Sequence, residues 1–311
     1  MPSIRSHLIK LYLKRTLRKS EHAPLDERRA QMNRNADRFK NAKDVSRRSV
    51  DVGGRPGEWL IPERASADAA VLYLHGGAYT VGSLDSHRAL ASHIASASRV
   101  SVLLLDYRLA PEHPFPAALE DAVQAFAWIQ ETQAIGAGRI VVMGDSAGGG
   151  LALATALRLR DTERDGPRAL ICLSPWTDLS LSGESVKTLI GKDPFFPHTL
   201  RIQEAARSYA GGHALRHPEI SPRFANLEGL PDLYIQVGTD EIVLSDSLDL
   251  AESAKYAGVT VQVDIWSGMW HVWQIFCDRM PESRRAIERI GRQIRFYLLE
   301  SQESSGQRPD A

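Results

Sequence analysis

Along the chain, short apolar runs alternate with segments whose apolar residues recur at helical spacing. AAVLYL (69–74), VSVLLL (100–105), RIVVM (139–143), ALICLS (169–174), DLYIQV (232–237) and TVQVDI (260–265) are the candidate strands. Runs this continuous suit strands covered on both faces, as in a parallel sheet. Residues 117–131, 147–161, 246–257 and 283–299 read as helices. The alternation predicts an α/β fold with a doubly wound, mostly parallel sheet and right-handed crossovers. Ligands in such sheets sit beyond the carboxyl ends of the strands, so chemistry is sought just after each apolar run.

Two stretches break the alternation. Residues 1–50 precede the first convincing strand, and about 178–225 carries scattered Pro, Gly and His (KDPFFPHTL, GGHALRHPEI). Both read as helical additions over one end of the sheet. In MPSIRSHLIKLYLKRTLRKS, Ile4, Leu8 and Leu11 recur at helical spacing among basic residues. The favoured reading is an amphipathic helix packed on the protein itself; a peripheral contact with a membrane or substrate interface is the alternative. The segment lacks the uninterrupted apolar core and small-residue cleavage site of a secretory signal. The C-terminal SQESSGQRPDA (301–311) reads as a disordered tail.

Composition narrows the classes. Of 311 residues, 38 are Lys or Arg and 38 Asp or Glu, a balance that argues against general nucleic-acid binding. The charge is uneven, however: residues 1–50 hold 14 basic against 5 acidic side chains. No apolar stretch is long enough to span a bilayer, so stable membrane insertion is not expected. The two cysteines, Cys172 and Cys277, have neither metal-ligand nor disulfide spacing, which makes a reducing cytoplasm the default compartment.

The strand RIVVM runs into Gly144-Asp145-Ser146-Ala147-Gly148, and an Ala/Leu-rich helix runs out of it. This is the strand–turn–helix setting of a nucleophile elbow, in which a strained turn lifts Ser146 above the sheet and glycines leave room around it. A bare GxSxG is weak; the flanking strand and helix strengthen it. A phosphate loop is disfavoured because GDSAGGG lacks the Lys of GxxxxGK[ST]. After AAVLYL comes His75-Gly76-Gly77-Ala78-Tyr79, where paired glycines can turn N–H groups toward a developing oxyanion. Gly76 and Gly77 are the expected donors, with Ala147 as the third. His75, at a strand end, is expected to make a structural hydrogen bond to the loop rather than to act as the base.

A serine nucleophile needs a base and a carboxylate to orient it. The chain order serine, acid, histidine points to His271, in IWSGMWHVW, as the base. His87, His93 and His113 precede Ser146; His198, His213 and His217 lie in the irregular insertion. After DLYIQV stand two adjacent carboxylates, Asp240 and Glu241, between which position alone does not decide.

HGGAYTVGS, DYRLAPEHPFPAALEDA, GDSAGGGLA and GMWHVW together resemble the bacterial hormone-sensitive-lipase-like (family IV) esterases, over about residues 70–295. The resemblance implies an α/β-hydrolase fold with an N-terminal cap segment (1–50), a catalytic domain (51–300) and a cap insertion near 178–225. It further implies hydrolysis of short-acyl carboxylic esters through an acyl-enzyme, with Ser146 as nucleophile and His271 as base. Its hole is taken to use the first two glycines, so Ala78, where many members have a third Gly, is a tolerated departure. Members show Asp-Pro-Leu-x-Asp at the acid; here Glu-Ile-Val-Leu-Ser-Asp stands, and gapless alignment through Ala257-Gly258-Val259 places Glu241 on that position, thirty residues before His271. Tyr79, Trp176, Phe195, Tyr209 and Trp270 are the pocket candidates. No metal or cofactor is called for, the expected partner is a small ester, and a homodimer is left open. The rival readings are an amidase or deacetylase with the same three residues and a non-catalytic binding protein on the same fold.

Overall fold

The computed structural model describes residues 2–17 and 23–300. In chain order the elements are α1 (Ile4–Leu17), α2 (Leu25–Ala36), β1 (Val45–Val52), β2 (Arg55–Pro62), β3 (Ser66–Leu74), α3 (Leu84–Ser98), β4 (Val100–Leu105), α4 (Ala117–Gln133), β5 (Ile140–Asp145) and α5 (Ala147–Asp161). Then follow β6 (Ala169–Leu173), α6 (Glu184–Thr188), α7 (Leu200–Ala210), β7 (Asp232–Gly238), α8 (Leu244–Tyr256), β8 (Val261–Trp266) and α9 (Pro281–Arg295). They build one eight-stranded sheet in the order β1-β2-β4-β3-β5-β6-β7-β8, parallel from β4 through β8.

The continuous apolar runs are explained by the layers. Side chains alternate across a strand, so Ala70, Leu72 and Leu74 of β3 pack into the core beneath α4, α5 and α8, while Ala69, Val71 and Tyr73 join the core with Leu90 and Ile94 of α3 and Ile287 and Ile290 of α9. Both faces are dry, so neither set can be polar. Each leucine, isoleucine or valine among them contributes roughly 1.5–3 kcal/mol by leaving water.

β1 and β2 are strands that the hydrophobic pattern does not reveal. They pair antiparallel with each other, and β2 pairs antiparallel with β4. β1, VSRRSVDV, is an edge strand with most of its side chains in water, so it carries no apolar run. β2 is interrupted by Pro56 and Gly57. Their turn, Gly53-Gly54, has φ of +61° and +87°, the left-handed pair a two-residue hairpin needs.

α1 docks, but not by the stripe expected. Ile4, Leu8 and Leu11 are 81%, 61% and 62% exposed. The helix is held instead by Ser3, whose N–H and hydroxyl donate to Glu282, by a Lys10–Asp240 ion pair, and by Leu13, which packs with Met269, Trp270 and Trp273. Spacing alone defines a stripe; only the partner surface decides which side is covered. Among the described residues no helix is long and apolar enough to cross a membrane. The C-terminal tail, 301–311, lies outside the described residues.

Candidate active site

Ser146 stands between β5 and α5 with φ +54° and ψ −121°, a conformation that costs a non-glycine residue energy and is held by its surroundings. Its N–H donates to Leu173 O at 2.8 Å, and its carbonyl accepts from Trp176 N–H at 2.9 Å. The neighbouring glycines are steric necessities. A Cβ on Gly144 would lie 2.3 Å from Gly148 O, and one on Gly148 would lie 2.0 Å from Leu74 O at the end of β3.

Three distant residues meet here. Ser146 Oγ lies 2.8 Å from His271 Nε2, and His271 Nδ1 lies 3.0 Å from Glu241 Oε2. Glu241, wholly buried, also accepts from Gly238 N–H at 2.6 Å and from the Ser174 hydroxyl at 2.8 Å, both at Oε1. Asp240, the adjacent carboxylate, faces the other way and pairs with Lys10 of α1. Burial works against a charged His271, but the hydrogen bond and charge of Glu241, with Asp193 and Asp145 behind, outweigh it and raise the imidazole above its ordinary value. Such a histidine, with the carboxylate at Nδ1, can accept a hydroxyl proton at Nε2.

His75 is no base. It is fully buried, stacked 4.2 Å from Tyr107, and its Nδ1 bonds Gly76 O at 2.8 Å; burial, with His87 nearby, pushes it down to about 3.

The loop after β3 corrects one expectation. Gly76 N–H donates to Asp145 Oδ1 at 2.9 Å, so it is committed and cannot serve an oxyanion. The same oxygen accepts the Tyr73 hydroxyl at 2.8 Å, and His87 Nε2 lies 3.4 Å from Oδ2. Burial pushes Asp145 up, but His87, Tyr73 and His75 outweigh it and hold this carboxyl below its usual range. The N–H groups of Gly77, Ala78 and Ala147 carry no hydrogen bond among the described residues. Ala78 has φ +53° and lines the cavity together with Gly77. Sequence reasoning missed Ala78 because any residue supplies a backbone N–H.

Over Ser146 lies a mostly apolar cavity of about 370 Å³. Its walls include Met32 of α2, Phe195 and Phe196 of the segment before α7, Ile202 of α7, and Val272 and Ile275 after the base. Of the five pocket candidates only Phe195 is among them. Tyr79 and Tyr209 are stacked on each other at 3.6 Å inside the core, with Trp176 0% exposed nearby, and Trp270 is buried beneath α1. An aromatic side chain reads alike in sequence whether it fills a core or lines a cleft. Phe196, next in the chain to Phe195, also lines the cavity, and its ring meets the His271 ring edge-on at 5.0 Å.

Comparison with known proteins identifies the family. A family model described as the alpha/beta hydrolase fold matches residues 71–275. The chain is 43% identical over 246 residues to an acetyl-hydrolase of Streptomyces hygroscopicus, covering 79% of this chain and 81% of that protein. It is 37% identical over 256 residues to an esterase of Acinetobacter venetianus, covering 81% and 82%. Among solved structures, the esterase EstE5, soaked with p-nitrophenyl butyrate, superposes with a TM-score of 0.89 at 40% identity, covering 95% of this chain and 99% of that one. A hormone-sensitive lipase from a metagenome library gives 0.91 at 38%, covering 96% and 99%. The chain therefore belongs to the α/β-hydrolase family, among its bacterial hormone-sensitive-lipase-like serine carboxylesterases.

Proposed function

We propose that the chain hydrolyses short-acyl carboxylic esters through a Ser146–His271–Glu241 triad. The single observation that supports this best is the unbroken series Ser146 Oγ, His271 Nε2, His271 Nδ1, Glu241 Oε2, with links of 2.8 Å and 3.0 Å. Ser146 attacks the ester carbonyl as His271 takes its proton, and Glu241 orients and stabilises the imidazolium. The oxyanion that forms is met by the N–H groups of Gly77, Ala78 and Ala147, each such donor being worth roughly 3 kcal/mol in measured cases. His271 then protonates the departing alcohol, and water, activated by the same base, hydrolyses the acyl-enzyme.

The short-acyl preference rests on the size of the cavity and on the relatives. About 370 Å³, closed on one side by Phe195, Phe196 and Ile202, is near the lower end of ligand pockets. The Streptomyces relative is named an acetyl-hydrolase, and a relative from Pseudomonas putida, 36% identical over 217 residues, an ethyl acetate hydrolase. The cap in this reading is α2 together with the 178–225 insertion, since α2 and the α7 region supply most of the outer wall. Arg29 of α2 secures that wall to the loops after β3 and β4, donating to Thr80 O at 2.8 Å and to both oxygens of Glu112. A series of p-nitrophenyl esters from acetate to laurate tests both halves. Turnover should peak at the short end and vanish in Ser146→Ala; substantial turnover in that variant, or a peak at laurate, would refute the corresponding half.

A further inference from the structure

The triad reading uses one carboxylate, yet a second is buried against the same histidine. Asp193 lies between α6 and α7, 1% exposed and outside the cavity wall. Its Oδ2 accepts the main-chain N–H of His271 at 2.9 Å, and its Oδ1 accepts the N–H of Phe195, also at 2.9 Å. The residues that follow it, Phe195 and Phe196, line the cavity, and Phe196 packs on the imidazole. One short turn thus touches both the substrate space and the base.

Holding a turn requires acceptors, not a charge, and a buried charge is costly. Burial pushes Asp193 up to about 7, with His271 drawing it down and Glu241 pushing it up. The charges facing His271 are Glu241, Asp193 and Asp145, all of one sign. Proximity of opposite charge favours the protonated imidazole.

Resting on the triad reading, we propose that Asp193 is a positioning residue for the base: it ties the main chain of His271 to the cavity-lining turn and, ionised, favours the imidazolium that forms as Ser146 gives up its proton. Without it, His271 keeps Glu241 at Nδ1 but loses the anchor of its own backbone.

Asp193→Asn keeps one acceptor oxygen and removes the charge. Its kcat, normalised to active sites titrated with a phosphonylating reagent, should fall about ten- to a hundred-fold, the scale of a small misplacement of a reacting group. KM for a short nitrophenyl ester should move less than kcat, since Asp193 reaches the cavity only through the N–H of Phe195. The acid limb of kcat/KM should shift to lower pH, because the imidazole loses a charge that stabilises its protonated form. A merely structural Asp193 would lower the unfolding temperature and the titratable fraction while leaving normalised kcat and the limb in place; that result overturns the proposal. Should the Asn variant not fold, Asp193→Ser, which leaves room for a water, is read in the same way. A dead Ser146→Ala beside a wild-type-like Asp193 variant rejects this inference alone, whereas turnover in Ser146→Ala rejects the triad.

Discussion

Replacing Glu241 by Gln tests the choice between two adjacent carboxylates at the level of single protons. Gly238 N–H and the Ser174 hydroxyl both donate to Oε1, and His271 Nδ1 faces Oε2. A glutamine has one oxygen for those two donors, so its NH₂ must turn to the imidazole and donate to Nδ1. The ring proton is then driven to Nε2, which points at Ser146 Oγ and can no longer take a proton from it. Turning the amide around restores the tautomer only by facing NH₂ toward two donors at a fully buried position. A wrong-tautomer change of this kind costs about 10⁴ in kcat, or about 5 kcal/mol. Asp240→Asn is the control. It removes the pair with Lys10, whose side chains are 29% and 17% exposed, so about 1 kcal/mol of stability or less is at stake and kcat should hold. Nitrophenyl butyrate hydrolysis under saturating substrate, with thermal unfolding on the same samples, gives both readings. Should Glu241→Gln keep kcat within ten-fold, or should Asp240→Asn match its loss, the assignment of Glu241 is wrong.

Three further outcomes follow from the geometry. In the wild type the acid limb of kcat/KM lies above pH 6.5, because the base works as neutral imidazole and its folded-state value is raised chiefly, against burial, by Glu241; a limb below that pH contradicts the arrangement. Gly148→Ala places a Cβ 2.0 Å from Leu74 O and 2.6 Å from His75 O, both main chain. α5 and the end of β3 must then separate by roughly an ångström, at about 1–3 kcal/mol of stability and a kcat loss on the order of a hundred-fold; unchanged kinetics and melting would show that the elbow has slack. Asp246, 1% exposed on α8, accepts Thr177 and Asp178 N–H at one oxygen, and burial, with Asp178, pushes it up to about 7. Its raised value adds stability that is full below about pH 4 and lost as pH rises toward 7. Asp246→Asn keeps the acceptor without the charge, so its stability relative to wild type should improve between pH 5 and 8 in denaturant melts; an equal difference at both pH values refutes this.

Much of the catalytic end was readable because its signals are local. GDSAG between an apolar run and an Ala/Leu-rich helix is a property of some twenty consecutive residues, and it leads to a Ser146 with φ +54° at the head of α5. Chain order pointed to His271, whose Nε2 the structure brings to 2.8 Å from Ser146 Oγ. The acid was not decidable from position, since Asp240 and Glu241 follow the same strand; the resemblance favoured Glu241, and the structure turns that side chain inward and Asp240 out to Lys10. β1 escaped notice because an edge strand need not be apolar, although Gly53-Gly54 was a usable hairpin signal.

What the chain's sequence determined by itself is whatever neighbouring residues impose on one another: apolar runs that must be covered on both faces, a glycine-flanked turn, a helix that starts at its sharpest point. What only the tertiary structure decided is pairing across long separations. Asp145, sixty-nine residues on, takes the N–H of Gly76, while those of Gly77 and Ala78 are left facing the cavity wall with no hydrogen bond among the described residues. Tyr79 meets Tyr209 rather than the cavity, and Ile4, Leu8 and Leu11 face water while Lys10 and Leu13 do the docking. The physical reason is the same in each case. A backbone N–H, an aromatic ring or an apolar stripe has no fixed destination until another part of the chain competes for it, and that competition is settled by distance in space.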